Sequence, residues 1–288
     1  MVIRPPIGRW FPPRRRDNRT PDEQQPENQQ AENQFYPGLF DVLRVRHILL
    51  WKVKPEGFPA EVVDMIVDAA EYWPSTEFAM GERRRIRKDV DEALVYTTPL
   101  CYDENTLESG SPKVLPHRTA HPCRKIVFSI VSHDQGGLHE RLRLDPNRAG
   151  IYEGSFTWFD AEVIRKAHEP PQRDAVRQKM HPTEKRPQHF GPNHPLLLPR
   201  SNALQRNRTR TQEAKRHTIV WHHLDHIPAN SPEAEEMEQS QGRGRDTVDG
   251  KQVRELEPGD SILVWGRARF PGWVNYVDEL SVRVFWAV

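Results

Sequence analysis

Seven side chains are best suited to holding a ligand: Asp134, Arg267, Arg269, Phe270, Trp273, Asn275 and Tyr276. Six of them crowd the stretch 267–276, RARFPGWVNY. Aromatic faces cover the apolar C–H side of a sugar ring, while Asp, Asn and Arg satisfy its hydroxyls. The same mixture stacks bases and contacts phosphates in single-stranded nucleic acid. Glu255, Glu257, Asp278 and Glu279 flank it in sequence and weaken the field, which argues against nucleic acid. The set becomes one site only if the 133–137 and 267–277 loops meet. Otherwise Phe270 and Trp273 act as an apolar plug.

Catalytic patterns are missing. No G-x-S-x-G elbow occurs. Ser129, Ser132, His133 and Asp134 are neighbours in sequence, but a triad is a spatial arrangement and adjacency argues nothing. His217, His222, His223, Asp225 and His226 gather in one stretch. Strand alternation sends His222 and His223 to opposite faces, and the helical H-E-x-x-H spacing is absent. The sequence therefore predicts a non-enzyme with no metal site and no cofactor.

The elements that must position these residues are mostly strands. In 260–288, two runs alternate apolar and polar residues, 261–265 and 280–288, and predict a closing hairpin. Residues 123–133 alternate Ile126, Phe128 and Ile130 against Val127, Ser129 and Val131; both sets are largely apolar, which predicts a central strand covered on both faces. Further strands are predicted in 151–164 and 217–224, with a short edge strand at 253–256. Residues 59–73 predict a helix, with Pro59 at its start and Val62, Val63, Ile66, Val67, Ala70 and Trp73 at helical spacing. Residues 40–53 are amphipathic and fit either a helix or a strand.

The whole chain has 288 residues, 26 prolines and 36% hydrophobic residues, which predicts one real core beside long solvated segments. Its net charge of +1 supplies no global field for nucleic acid or acidic lipid. Two cysteines, Cys101 and Cys123, cannot build a disulfide framework. No run reaches the length of a membrane span and the start lacks a secretory h-region, so the expected location is cytoplasmic or nuclear. The predicted organisation is a disordered tail (1–36), a helical segment (37–80), a linker with a basic cluster (81–120) and an antiparallel β-sandwich (121–288). Loop insertions are placed at 165–212 and 228–250.

Two resemblances add to this reading. Phe58-Pro59, Glu61, Val62-Val63 and Ile66-Val67 resemble the opening of an F-box, a segment that docks on the adaptor subunit of an SCF ubiquitin ligase. The resemblance implies partner-binding roles for Phe58, Pro59, Val62, Val63, Ile66 and Val67. The family's second half is not visible; GERRRIRK at 81–88 follows instead. Residues 121–288 are similar in outline to galactose-binding-like jelly rolls, as in F-box-associated and phloem-lectin-type domains. Trp265-Gly266 and Phe270-Pro271-Gly272-Trp273 carry that likeness, and the ending also resembles uncharacterised filamentous-fungal proteins. Together they imply an intracellular recognition module: a substrate receptor that engages the SCF adaptor and a substrate protein. The alternative is an autonomous carbohydrate-binding or single-stranded nucleic-acid-binding domain.

Overall fold

The computed structural model describes residues 35–137, 151–183 and 187–288. The expected tail, 1–36, lies outside the described residues except for Phe35 and Tyr36. Gly38 opens α1 (Leu39–Trp51), where the Asp41 carboxylate reaches back to the Gly38 N–H at 2.9 Å. Pro59 precedes α2 (Ala60–Ala69), with Glu61 near the positive end of the helix. There follow β1 (Ser75–Ala79), β2 (Arg84–Arg87), β3 (Glu92–Tyr96), β4 (Cys123–His133) and β5 (Thr157–Ile164). The rest are α3 (Pro170–Met180), β6 (Gln205–Arg206), β7 (Lys215–His222), α4 (Pro232–Gln241), α5 (Lys251–Arg254), β8 (Ser261–Ala268) and β9 (Val274–Trp286).

Among the described residues, the nine strands form two sheets, and every pairing is antiparallel. The first runs β1–β9–β4–β7, with β2 also pairing β9; the second runs β3–β8–β5–β6. The closing pair is not a hairpin. β8 lies in the second sheet and β9 in the first, and they have no ladder in common. Phe270 and Gly272 both adopt left-handed backbone (φ 65° and 86°), and the Arg269 N–H still bonds the carbonyl of Phe156, just before β5 of the second sheet. The loop therefore carries the chain across from one sheet to the other. Local alternation marks two strands but does not say which neighbour each will pair with.

Residues 81–120, expected as a linker, contribute β2 and β3. The basic cluster is an edge strand held by one apolar anchor: Ile86 is fully buried. Gly266 makes room for it, since a Cβ there would stand 2.1 Å from Ile86 Cδ1. The expected insertions also carry structure. Pro170-Pro171 start α3. α4 is capped by Ser231, whose Oγ accepts from the Ala234 N–H at 3.2 Å, and ends at Gly242, φ 75°. The expected edge strand at 253–256 is instead occupied by the end of α5, entered through Gly250 at φ 70°.

β4 is central, between β9 and β7. Ile126, Phe128 and Ile130 are fully buried, while Val127, Ser129 and Val131 are half-buried, so its outer face is only partly covered. One cluster joins Ile126 and Phe128 of the first sheet, Phe159 and Val264 of the second, and Val42, Val63, Val67 and Trp73 from the helical end. The helices thus share the core of the sheets, and residues 36–288 are one compact unit. No helix among the described residues is long and apolar enough to cross a membrane.

Candidate functional site

The two loops singled out in the sequence do meet. The Val274 N–H donates to Gln135 Oε1 at 2.9 Å, and His133 stacks on Tyr276 at 4.8 Å and 5°. Their polar members face inward. Asp134 is fully buried; its carboxylate accepts from the N–H groups of Gly136, at 2.7 Å, and of Arg210. Burial pushes its pKa up against those bonds. Asn275 is also fully buried. It donates to the carbonyls of Trp158 and Arg267 at 3.3 Å each and accepts from Asn207 Nδ2 at 2.9 Å. Asn207 continues to Thr157 Oγ1 at 3.0 Å and accepts from Ser132 Oγ at 2.7 Å. This network ties strands of both sheets together. Phe270 and Trp273 pack edge-on against Phe156, at 4.5 and 5.1 Å, and remain half-buried. The Arg85 guanidinium lies 5.4 Å from the Tyr276 ring.

Arg267 and Arg269 belong elsewhere, on the outer face of the second sheet. Arg269 is fully buried. Its Nη1 and Nη2 grip the Asp91 carboxylate at 2.6 and 3.0 Å, its Nε donates to the Leu196 carbonyl at 2.8 Å, and Phe190 covers it at 3.8 Å. Arg267 bonds Asp91 as well and reaches Asp160 Oδ2 through Nε at 2.5 Å. Asp91, Asp160 and Arg267 border a cleft of about 490 Å3. Its wall carries Trp265, whose Nε1 donates to Glu162 at 2.8 Å, while Lys179 holds the other oxygen of Glu162 at 2.7 Å. The sequence reading missed Asp91, Trp158, Asp160, Glu162 and Trp265. Their signal was available: Trp158, Asp160 and Glu162 alternate on one strand, Trp265 and Arg267 on the next with Arg269 just past its end, and Trp158 sits opposite Arg267.

The helical end differs. Of the six residues nominated there, Val63 and Val67 are buried in the core. Phe58 packs partly against that core under Lys54, 4.9 Å from the ring, and Pro59 is exposed. Val62 and Ile66 face solvent, each apolar pair having one member inward and one outward. Met65, missed in the sequence, is 71% exposed, and Phe40 and Trp51 on α1 are 86% and 66% exposed. The helices are fixed from behind. Asp64 bridges Arg46 at 2.5 Å and Arg118 at 2.9 Å, and Asp68 accepts from Trp73 Nε1 at 2.8 Å. Burial raises the Asp64 pKa, but the two arginine bonds outweigh it and the net shift is downward.

Strand alternation does not separate His222 from His223: β7 ends at His222, and the two rings lie 4.8 Å apart, both beside Trp73. His217 is buried and pushed down to about 4 by desolvation; His223, also pushed to about 4 mainly by burial, stacks edge-on against Trp73 at 5.7 Å. Among the described residues no cluster of three or more His, Cys, Asp or Glu side chains is arranged to hold a metal ion. Cys101 and Cys123 are buried free thiols, and burial pushes Cys123 up to about 12.

No family model, curated protein or solved structure matches the chain.

Proposed function

We propose that the chain is a non-enzymatic recognition module that docks on a protein partner through the outward face of α1 and α2. Its two sheets are read as a sandwich of jelly-roll, galactose-binding-like type, acting in the cytosol or nucleus. The F-box resemblance suggests the partner, the adaptor subunit of an SCF-type ubiquitin ligase, with the sheets left to engage a substrate protein. The observation that carries this reading is the exposure of Val62, Met65 and Ile66 on a helix whose opposite face is locked into the core. Large apolar side chains in solvent on a rigid support mark interaction surfaces, and a helix offers them at the spacing a partner groove reads. The test is capture of purified adaptor by the full-length chain. Met65→Asp with Ile66→Asp is expected to abolish capture while preserving the melting curve. Val63→Asp is the wrong probe, because it places a charge in the core. Unchanged capture by the double variant removes the face from consideration.

A second reading, carbohydrate binding, is favoured by one observation: the cleft beside Trp265 offers an indole next to carboxylates already matched by cations. Such a wall suits a neutral polyol better than an ion. Titration with a neutral oligosaccharide panel tests it, with Trp265→Ala expected to remove any binding found.

A further inference from the structure

β1 and β3 are the end strands of their sheets, and where these ends approach α3 they enclose a cavity of about 620 Å3. Its lining is mixed, with polar groups that include Arg84, Arg173 and Glu104 beside the apolar Phe78, Met80, Leu94, Leu107 and Met180. Two of these are methionines, which reshape readily around an apolar chain. Over this floor, one face of α3 presents Arg173 and Arg177, four residues apart.

The two arginines are not equivalent. Arg177 is held by Glu108 and by Asp174. Among the described residues Arg173 makes one side-chain hydrogen bond, from Nη1 to the His168 carbonyl at 2.9 Å, and its Nε is buried without an acceptor. It has no carboxylate partner among the described residues. The Tyr96 hydroxyl is close enough to both arginines to feel their charge. It lies beside Ser261, shut from water, without closing a hydrogen bond of normal geometry. Buried donors are almost always satisfied, so Arg173, which lines the cavity short of a carboxylate, is the group that an acceptor entering it would meet.

We infer that this cavity binds a monocarboxylate with an apolar chain, the carboxylate on Arg173 and the chain over Leu94, Phe78 and Met180. A second carboxylate at the far end of the chain would be desolvated among Leu94, Phe78 and Met180, which selects against dicarboxylates. None of these residues belongs to the α1–α2 face, so the site stands or falls separately from docking. A free fatty acid and the apolar C-terminal residue of a peptide share this chemistry.

The test is calorimetric titration of the full chain with dodecanoate, dodecanol, dodecanedioate, and a leucine-ended peptide in free-acid and amidated forms. Dodecanoate or the free-acid peptide is expected to saturate a single site. Loss of the carboxylate, a second carboxylate, or Arg173→Met is each expected to weaken binding roughly tenfold or more. Ala79→Trp, at the exposed lip, fills the cavity without touching the core and is expected to abolish binding with an unchanged melting curve. It keeps the test decisive if Arg173→Met folds poorly. Saturation by the peptide but not by dodecanoate keeps the site and assigns it to a peptide end. The inference is overturned if neither carboxylate saturates, or if affinity is indifferent to both substitutions.

Discussion

The loop end of the sheets and the outward face of α1–α2 leave opposite things unresolved. At the loop end, polar side chains are buried and their bonds close on one another: Asp134 on Gly136 and Arg210, Asn275 on Asn207 and two carbonyls. At the helical end, Met65, Ile66 and Trp51 stand in solvent on a support pinned by Val63, Val67 and the Asp64 bridges. A buried polar group with all its partners at home fixes where the sheets meet. An exposed apolar group on a rigid helix gains nothing from its own fold and gains only from a partner.

Substitutions separate the two regions, beginning with the most damaging. Val63→Asp buries a charge with no partner and should cost on the order of 4–5 kcal/mol, seen as loss of the cooperative melt. A normally folded variant would mean that α2 is not part of the core. Arg269→Ala strands Asp91 beneath the 187–202 segment and should cost about 3–5 kcal/mol in chemical denaturation. A change under about 1 kcal/mol would show the Asp91 lattice to be incidental. Asn275→Ala leaves Asn207 and two carbonyls short of a partner, for about 1–3 kcal/mol. If it is silent, the loop-end network is not what joins the sheets.

Acid should act through both lowered histidines, His223 and the more deeply buried His217. The folded pKa of His217, about 4, lies below the 6.5 of a free histidine. Above pH 6.5 the imidazole is neutral whether the chain is folded or not. As pH falls from 6.5 toward 4 the unfolded chain takes up the proton first, so stability declines across that window and levels off below it. Asp134 titrates with the opposite sign, so the quantity to measure is the difference between the wild type and His217→Phe. The variant should show a shallower decline in melting temperature over this range; an identical slope would contradict the burial of His217. Trp273→Ala, at the half-buried plug, should lower the melting temperature by only a few degrees. A collapse of folding would place Trp273 with the core rather than with the surface.

Much of the fold could be read from alternation alone. β4, β7, α2 and the two closing strands lie where apolar residues recur at the right period. What alternation cannot supply is the partner, which is why β8 and β9 read as a hairpin. β2 escaped because Ile86 is its single buried residue among arginines. α3 and α4 sit in polar, proline-bearing segments where the start signals were present but the apolar face is thin: each buries one residue, Val176 or Ala234. The site was harder still. Arg267 and Asp91 are 176 residues apart, and Asn207 and Asn275 are 68 apart, so nothing local revealed that these groups are already paired. The split of each α2 pair into an inner and an outer residue was legible in principle, since neighbours on a helix point about 100° apart.

The proposed docking on α1–α2 is tested most directly by quantitative capture of the purified SCF adaptor with full-length wild type and the Met65→Asp/Ile66→Asp variant side by side. Both chains should melt within about 0.5 kcal/mol of each other, with capture present in the first and lost in the second. Equal capture by both, or no capture by the wild type, contradicts the reading of α1–α2 as the face that meets this partner.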